Sequence, residues 1–271
     1  MGLKESSSNS GSSKSINLRY NSVVGAILIS EDKTSNAIKA ITAKVGADEM
    51  KKGYSTAPGS QTAIAKQMLA EADVKTYEHI SGTLVSAYAK VEKNEKGDEY
   101  TYVKVHLKDE IGTSFRLSMP IENAATQMIA RKLLNAEPGK EIIVAPFATY
   151  LQREGNDRPY ADHGASVKQN GEEVPAGYVA EFHDARVNTG PALIAAGIAD
   201  KKTIAAAING KIIALTFKAM EETSERFKQY YEARATTQAQ PAAAEAAGEK
   251  DVPEMADPDA KKRSYDENLV F

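Results

Sequence analysis

Residues 79–108 read HISGTLVSAYAKVEKNEKGDEYTYVKVHLK, and the fold is decided here. Two segments of alternating character, 79–92 and 100–108, flank a charged turn. In the second segment one side carries β-branched and aliphatic residues, and the other carries tyrosines, lysines and a histidine. A period of two is typical of a half-buried strand. The sequence therefore predicts an antiparallel hairpin whose solvent side is aromatic and cationic.

The segments that follow the hairpin complete a small β-rich core. The patterns predict strands at 114–119, 141–151 and 164–169, with a helix at 122–136 between the first and second of these. The order β-β-β-α-β-β over 79–171 is typical of an OB-type Greek-key barrel, which binds oligonucleotides on one sheet face and with two loops. We therefore predict an α+β fold in which an OB-like five-stranded barrel is flanked by helices.

The flanking segments are predicted from the same periodicities. Upstream, residues 16–30 indicate a strand or a strand pair broken near Gly25, and residues 32–51 and 61–72 indicate helices. Downstream we predict a strand at 178–188, two helical pieces over 191–209 that end at Gly210, a strand at 211–218 and a helix at 221–234.

Composition divides the chain into three parts. Residues 1–15 are rich in serine and predict a flexible arm, and residues 235–271 are rich in alanine, acids and proline and predict a disordered acidic tail. Neither flank of the core has enough amphipathic elements for a separate core, so residues 16–234 are predicted to form one composite domain.

Net charge and residue usage exclude several classes. The net charge is −3, and residues 232–271 carry nine acidic and five basic residues, so the remainder is nearly neutral and compatible with a polyanion. No uninterrupted apolar run is long enough to span a membrane, and cysteine is absent. These features predict a cytoplasmic protein, in the host cytoplasm if it is viral, with no membrane partner.

Enzyme motifs are also missing from the sequence. It contains no phosphate-binding glycine loop, no GxSxG and no HExxH, and its four histidines lack the spacing of metal ligands. We therefore predict a protein without catalytic activity, metal or cofactor.

The residues of a nucleic-acid site are predicted from the hairpin and from the loop after residue 151. Cations can follow a phosphate backbone, and aromatic rings stack on bases of any identity. Lys90, Lys104, Lys108 and Arg116 are the predicted groove cations; Tyr88, Tyr102, Phe115 and Tyr160 are the predicted stacking residues; Arg153 and Arg158 are predicted to close the loop. Two alternatives stay open. Phe115 either stacks on a base or belongs to the core. The loop either closes over the ligand or is a polar turn neutralised by Asp157 and Asp162.

The chain ends on Tyr265-Asp-Glu-Asn-Leu-Val-Phe271 after an acidic stretch. This terminus resembles the tail of bacterial and phage single-stranded DNA-binding proteins, in which an acidic linker ends in an apolar tip with a terminal phenylalanine. The resemblance implies that Leu269, Val270 and Phe271 bind a partner enzyme. The size of the chain resembles that of the phage branch of these single-stranded DNA-binding proteins. This branch includes the Drc-type proteins, which also act as RNA polymerase cofactors. Membership of that type would replace the OB-like barrel with a non-OB mixed sheet.

The sequence is therefore compatible with three functions. The first is sequence-tolerant binding of single-stranded DNA in viral replication or recombination, with the tail recruiting replication or transcription proteins. The second is a transcription cofactor that brings a phage RNA polymerase to single-stranded or melted DNA, and the third is a structural or scaffold protein with no nucleic-acid role. A homo-oligomer is expected in each case.

Overall fold

The computed structural model describes residues 15–93, 97–151 and 160–245, with side chains as far as residue 236. The chain divides into two units, residues 1–230 and 231–271, and the sheet, the core and the candidate site belong to the first. The second unit contains the last part of helix α7. Arg153, Arg158, the N-terminal arm to residue 14 and the tip Leu269, Val270 and Phe271 lie outside the described residues.

The strands and helices follow one another in a mixed order. The strands are β1 (Ser15–Asn21), β2 (Ala26–Ile29), β3 (Thr76–Tyr77), β4 (Ile80–Lys93), β5 (Glu99–Lys108), β6 (Ser114–Pro120), β7 (Glu141–Leu151), β8 (Tyr160–Gln169) and β9 (Glu172–Glu173). The helices are α1 (Asp32–Val45), α2 (Ala47–Met50), α3 (Gln61–Glu71), α4 (Ala124–Leu133), α5 (Val179–Val187), α6 (Thr189–Ala195) and α7 (Lys201–Glu245).

All the strands of the described residues lie in one mixed sheet, and the predicted α+β class is confirmed. The order across the sheet is β3-β2-β1-β6-β5-β4-β7-β8-β9. All five strands predicted for the barrel form, and they are neighbours in this order. The predicted closed five-stranded barrel is wrong, because no ladder of the described residues joins β6 to β8. Strand β1 instead pairs in parallel with the free edge of β6, with Leu18 beside Leu117.

The sheet curls so that its two halves approach each other. The Tyr20 hydroxyl on β1 lies 3.1 Å from Nδ1 of His163 on β8, and the two rings meet edge to face. Four strands separate β1 from β8 in the sheet order. A side-chain contact therefore bridges the place where a closed barrel would have a ladder.

The main core lies on the concave face of this sheet. Val103, Val105 and Leu107 of β5 are fully buried there, against Ile129 and Leu133 of α4 and residues of α7. Burying an aliphatic side chain of this size contributes about 1.5–3 kcal/mol. A bulge at Val85 shifts the alternation of β4, so that Leu84 and Ala87 both face inward.

Helix α7 is tied to α4 by a polar contact as well as by packing. The Arg226 guanidinium donates hydrogen bonds of 2.8 and 2.7 Å to the carbonyl oxygens of Leu133 and Ala136 at the C-terminal end of α4. Carbonyls at a helix C-terminus lack intrahelical partners and favour a nearby cation. The contact therefore satisfies the end of α4 within the core.

A second, smaller core covers the opposite face of the sheet at β2. Leu28 packs there with Ile41 of α1 and Leu69 of α3. Ser60 caps α3 as its position in the sequence predicts, since its hydroxyl oxygen accepts a hydrogen bond from the Ala63 amide. The convex face is thus covered at β2 and open over the strands beyond it.

Two predicted strands downstream of the core are wrong. Residues 179–187 form helix α5. Phe182 and Ala185 lie three positions apart and are both buried, as residues on one face of a helix are. Arg131 lies over the Phe182 ring at 4.6 Å. Residues 211–218 and Gly210 lie inside α7. Buried residues recur along that helix every three or four positions: Ile212, Thr216, Ala219, Thr223 and Phe227.

Helix α7 also runs past the predicted start of the tail at residue 235 and ends at Glu245. By length and composition alone, its part Lys201–Thr236 is the one helix of the described residues that could cross a membrane, and 22% of its most apolar window is buried. Core helices of soluble proteins satisfy the same criterion, so this is weak evidence for a span. A soluble protein fits the structure, and the cytoplasmic location stays a prediction.

Candidate nucleic-acid interface

The candidate site is the open convex face formed by strands β1, β6, β5 and β4. Side chains that alternate with the buried residues point to this face, and strand spacing of about 4.8 Å sets neighbouring rows close together. We call this surface the basic face. Its cationic, aromatic and histidine residues are Arg19, Tyr88, Lys90, Tyr100, Tyr102, Lys104, His106, Lys108 and Arg116.

The strand register arranges these residues in rows across the sheet. One row runs Arg19, Ser118, Lys104 and Tyr88, from β1 to β4. The next runs Asn17, Arg116, His106 and Ser86. In each row, side chains from four strands lie beside one another on one surface.

Lys104 lies at the centre of the face and is firmly held. Its ammonium group donates a 2.7 Å hydrogen bond to the Ser118 hydroxyl, lies 3.0 Å from the Glu92 carboxylate and sits 5.1 Å from the centre of the Tyr102 ring. Its side chain is 18% exposed, against 57% for Lys90, which lies 3.6 Å from the same carboxylate. The hydrogen bond from Lys104 holds the pKa of Glu92 below its usual value. Glu92 therefore competes with any phosphate for both lysines.

His106 lies among cations. Burial lowers its pKa below the usual 6.5, and the nearby charges of Arg116 and Lys108 lower it further. Its Nε2 atom is buried and has no hydrogen-bond partner among the described residues. His106 is therefore neutral at pH 7, and an anion near Arg116 would favour its protonation.

Six of the predicted site residues fall on this one face: Tyr88, Lys90, Tyr102, Lys104, Lys108 and Arg116. Tyr88 is 40% exposed, and the side chains of Lys108 and Arg116 are open to solvent. The role assigned to Phe115 as a stacking residue is wrong, because Phe115 is 5% exposed and pairs with Leu107 on the core face. The alternative that it belongs to the core is the correct one.

Tyr160 is not brought to the basic face. It begins β8 opposite Leu151, and β8 lies two strands from β4 in the sheet order. In contrast, Arg19, Tyr100 and His106 belong to the face although they were not predicted as site residues. The alternation of β5 was sufficient to find Tyr100 and His106. Nothing in the sequence shows that β1 pairs with β6, so Arg19 was not predictable.

Acidic residues bound the basic face at one end. Asp109 and Glu110 follow Lys108 in the turn between β5 and β6, and Glu141 lies beside Thr83, which pairs with Lys108. These residues line a cleft of about 790 Å³ whose floor includes Leu18 and Phe115. Its acidic rim is unsuited to a polyanion, so the basic face and the cleft are distinct surfaces.

No group of three or more His, Asp or Glu side chains within the described parts of the chain is arranged to hold a metal ion. No protein-family model and no curated protein matches the sequence.

Proposed function

We propose that this protein binds single-stranded DNA, with little dependence on sequence, across its basic face. The observation that carries the proposal is the alignment of Tyr88, Tyr102, Lys104, Lys108 and Arg116 on one open side of three adjacent strands. Exposed aromatic rings interleaved with cations stack on bases and contact phosphates without reading base edges. A strand with unpaired bases uses both kinds of group, whereas a duplex leaves the rings without a partner.

The strand order supports the same function. The order β6-β5-β4-β7-β8 is that of an OB-type barrel opened between its third and fifth strands. In OB-type barrels the second and third strands form much of the oligonucleotide-binding surface, and β5 and β6 occupy those positions here. We therefore propose an OB-related sheet that β1 keeps open, in a protein of the kind the tail resembles. Roles in viral replication or recombination, or as an RNA polymerase cofactor, belong to the same proposal.

The test is a titration of labelled oligo-dT followed by fluorescence anisotropy at several salt concentrations. For single strands the logarithm of the binding constant falls with the logarithm of salt by about 0.7 for each phosphate contact. The double variant Lys108→Gln/Arg116→Gln is expected to bind more weakly and to lose about 1.4 from this slope, since two contacts are removed.

The matched control is Lys201→Gln/Lys202→Gln, which removes two exposed cations at the start of α7 and leaves the sheet intact. Its slope is expected to equal that of the wild type. Absence of binding at low salt, or tighter binding to duplex than to oligo-dT, would refute the proposal. Equal losses of affinity and of salt slope in the two double variants would show that binding depends on total charge and not on the basic face.

A further inference from the structure

Phe147 is an exposed aromatic residue that the predicted site did not include. It is on β7 and is 45% exposed. Its backbone partner across the sheet is Gly164 on β8. A Cβ atom at position 164 would lie 2.6 Å from Cζ and 2.8 Å from Cε2 of the Phe147 ring, which is closer than real contacts allow. The tip of the ring therefore occupies the space left by the missing side chain, and the glycine is what allows that position.

The surroundings leave the ring accessible. Its neighbours on the same side of β7 are Ala145 and Thr149, two positions away in each direction, and the diagonal neighbours on β8 are Asp162 and Ser166. All four are short side chains, and Thr149 and Asp162 are themselves exposed. A large flat ring among short neighbours, resting on a glycine, presents a surface whose orientation is set before any ligand arrives.

The ring lies on the same side of the sheet as the basic face. Thr83 of β4 pairs with Lys108 on one side and with Glu141 of β7 on the other, so Glu141 and every second residue after it point to this side. Phe147 is six residues beyond Glu141, about 20 Å along the strand. Ile143, between them, is 38% exposed, and its cross-strand partner Lys168 supplies an exposed cation.

We infer that Phe147 is a stacking site for an unpaired base of the strand whose backbone follows the basic face. This inference rests on the proposed function and extends the site across β7 and β8. Sites of this class cover about 4–16 nucleotides, and a path from Lys108 to Phe147 lies within that range. Glu141 lies on this path and opposes a phosphate there, and Lys168, opposite Ile143, is the cation beyond it. Asp162 lies beside the ring and disfavours a phosphate there, which leaves the ring surface to a base.

The sequence contains no tryptophan, so Phe147→Trp gives a protein with a single indole. We expect oligo-dT of about 16 nucleotides to quench its emission in proportion to the anisotropy signal. The control is Ile194→Trp on α6, which is 59% exposed before substitution and lies on no strand. Its emission is expected to stay constant.

Two further variants separate stacking from packing. Phe147→Ala and Phe147→Leu are both expected to weaken binding by about 5- to 100-fold, the loss that corresponds to one base–aromatic stack. Neither removes a charge, so the salt slope is expected to stay at the wild-type value. Normal affinity in Phe147→Leu would show that apolar bulk is sufficient and would overturn the inference.

The outcomes also separate this inference from the proposed function. If wild type binds oligo-dT and Phe147→Trp emission is not quenched, only the stacking site is refuted. If wild type binds no strand, both fail. An emission of Phe147→Trp that changes with protein concentration in the absence of DNA would identify a contact between two copies of the chain, which also overturns the inference.

Discussion

The substitution Glu92→Gln tests the electrostatics of the basic face most directly. Glu92 is the acid that lies within ion-pair distance of two of its cations, at 3.0 Å from Lys104 and 3.6 Å from Lys90. A phosphate that binds Lys104 must displace this carboxylate. The neutral amide removes the competitor and keeps the shape of the side chain, so affinity for single strands is expected to rise.

The size of the effect follows from counterion release. One additional phosphate contact steepens the salt slope by about 0.7. If the electrostatic difference vanishes near 1 M salt, the gain at about 0.1 M salt is about fivefold, or about 1 kcal/mol. The free energy of unfolding is expected to fall by at most about 1 kcal/mol, because a partly exposed ion pair contributes little.

The matched control for Glu92→Gln is Glu99→Gln at the end of the same hairpin. It removes the same charge from an ion pair of 3.1 Å with Lys93. The alternation of β4 places Lys93 on the side opposite to Glu92, so this substitution is expected to leave the slope unchanged. Both variants are measured by anisotropy with oligo-dT across a salt series. An unchanged or shallower slope in Glu92→Gln would refute the competition between carboxylate and phosphate.

Two predictions concern stability. Phe115→Ala is expected to reduce the free energy of unfolding by about 3–5 kcal/mol in urea denaturation, because it empties part of the core; a loss below about 1 kcal/mol would contradict its burial. Burial lowers the pKa of both His106 and His163 below 6.5. The unfolded chain therefore binds protons that the folded chain does not, and stability is expected to fall as pH drops below about 6.5. His106→Gln should flatten the urea-midpoint profile between about pH 7.5 and about pH 5.5, and an unchanged profile would exclude its contribution.

The elements between β1 and β9 were largely predictable because their apolar residues recur with one clear period. β5 alternates strictly, and its inner residues Val103, Val105 and Leu107 are all buried as that period requires. The same alternation put Tyr102, Lys104 and His106 together on the other side. Local sequence was therefore sufficient to predict which side chains of one strand share a surface.

Long-range pairing was not predictable from these patterns. The sequence of β1 fits a partner on either edge, and its parallel pairing with β6 both opens the barrel and adds Arg19 to the basic face. Phe115 was ambiguous for a related reason, since a shift of one residue exchanges the two sides of a strand. Its register opposite Leu107 decides in favour of the core.

Two helical segments after residue 178 were predicted as strands because a short segment can fit both the strand period and the helix period. Residues 178–188 and 211–218 contain apolar residues at odd and even positions alike, so alternation over a few residues carried little information. The helical period becomes visible only over a longer stretch, in the buried series from Ile212 to Phe227. Gly210 did not end the helix, since a single glycine costs only about 1 kcal/mol inside one.

A net charge of −3 argues against nucleic-acid binding only if a bound DNA strand interacts electrostatically with every charge of the protein. At physiological salt, charges are screened over about 8 Å, which is less than two strand spacings. A phosphate on the basic face therefore interacts with the nearby Arg116, Lys108 and Lys104 more strongly than with the net charge of the whole chain. The same range includes Asp109 and Glu110, next to Lys108 in sequence. These acids, together with Glu141 on β7, repel a backbone at this end of the face, so a strand that reaches Phe147 has to pass Glu141 before it meets Lys168.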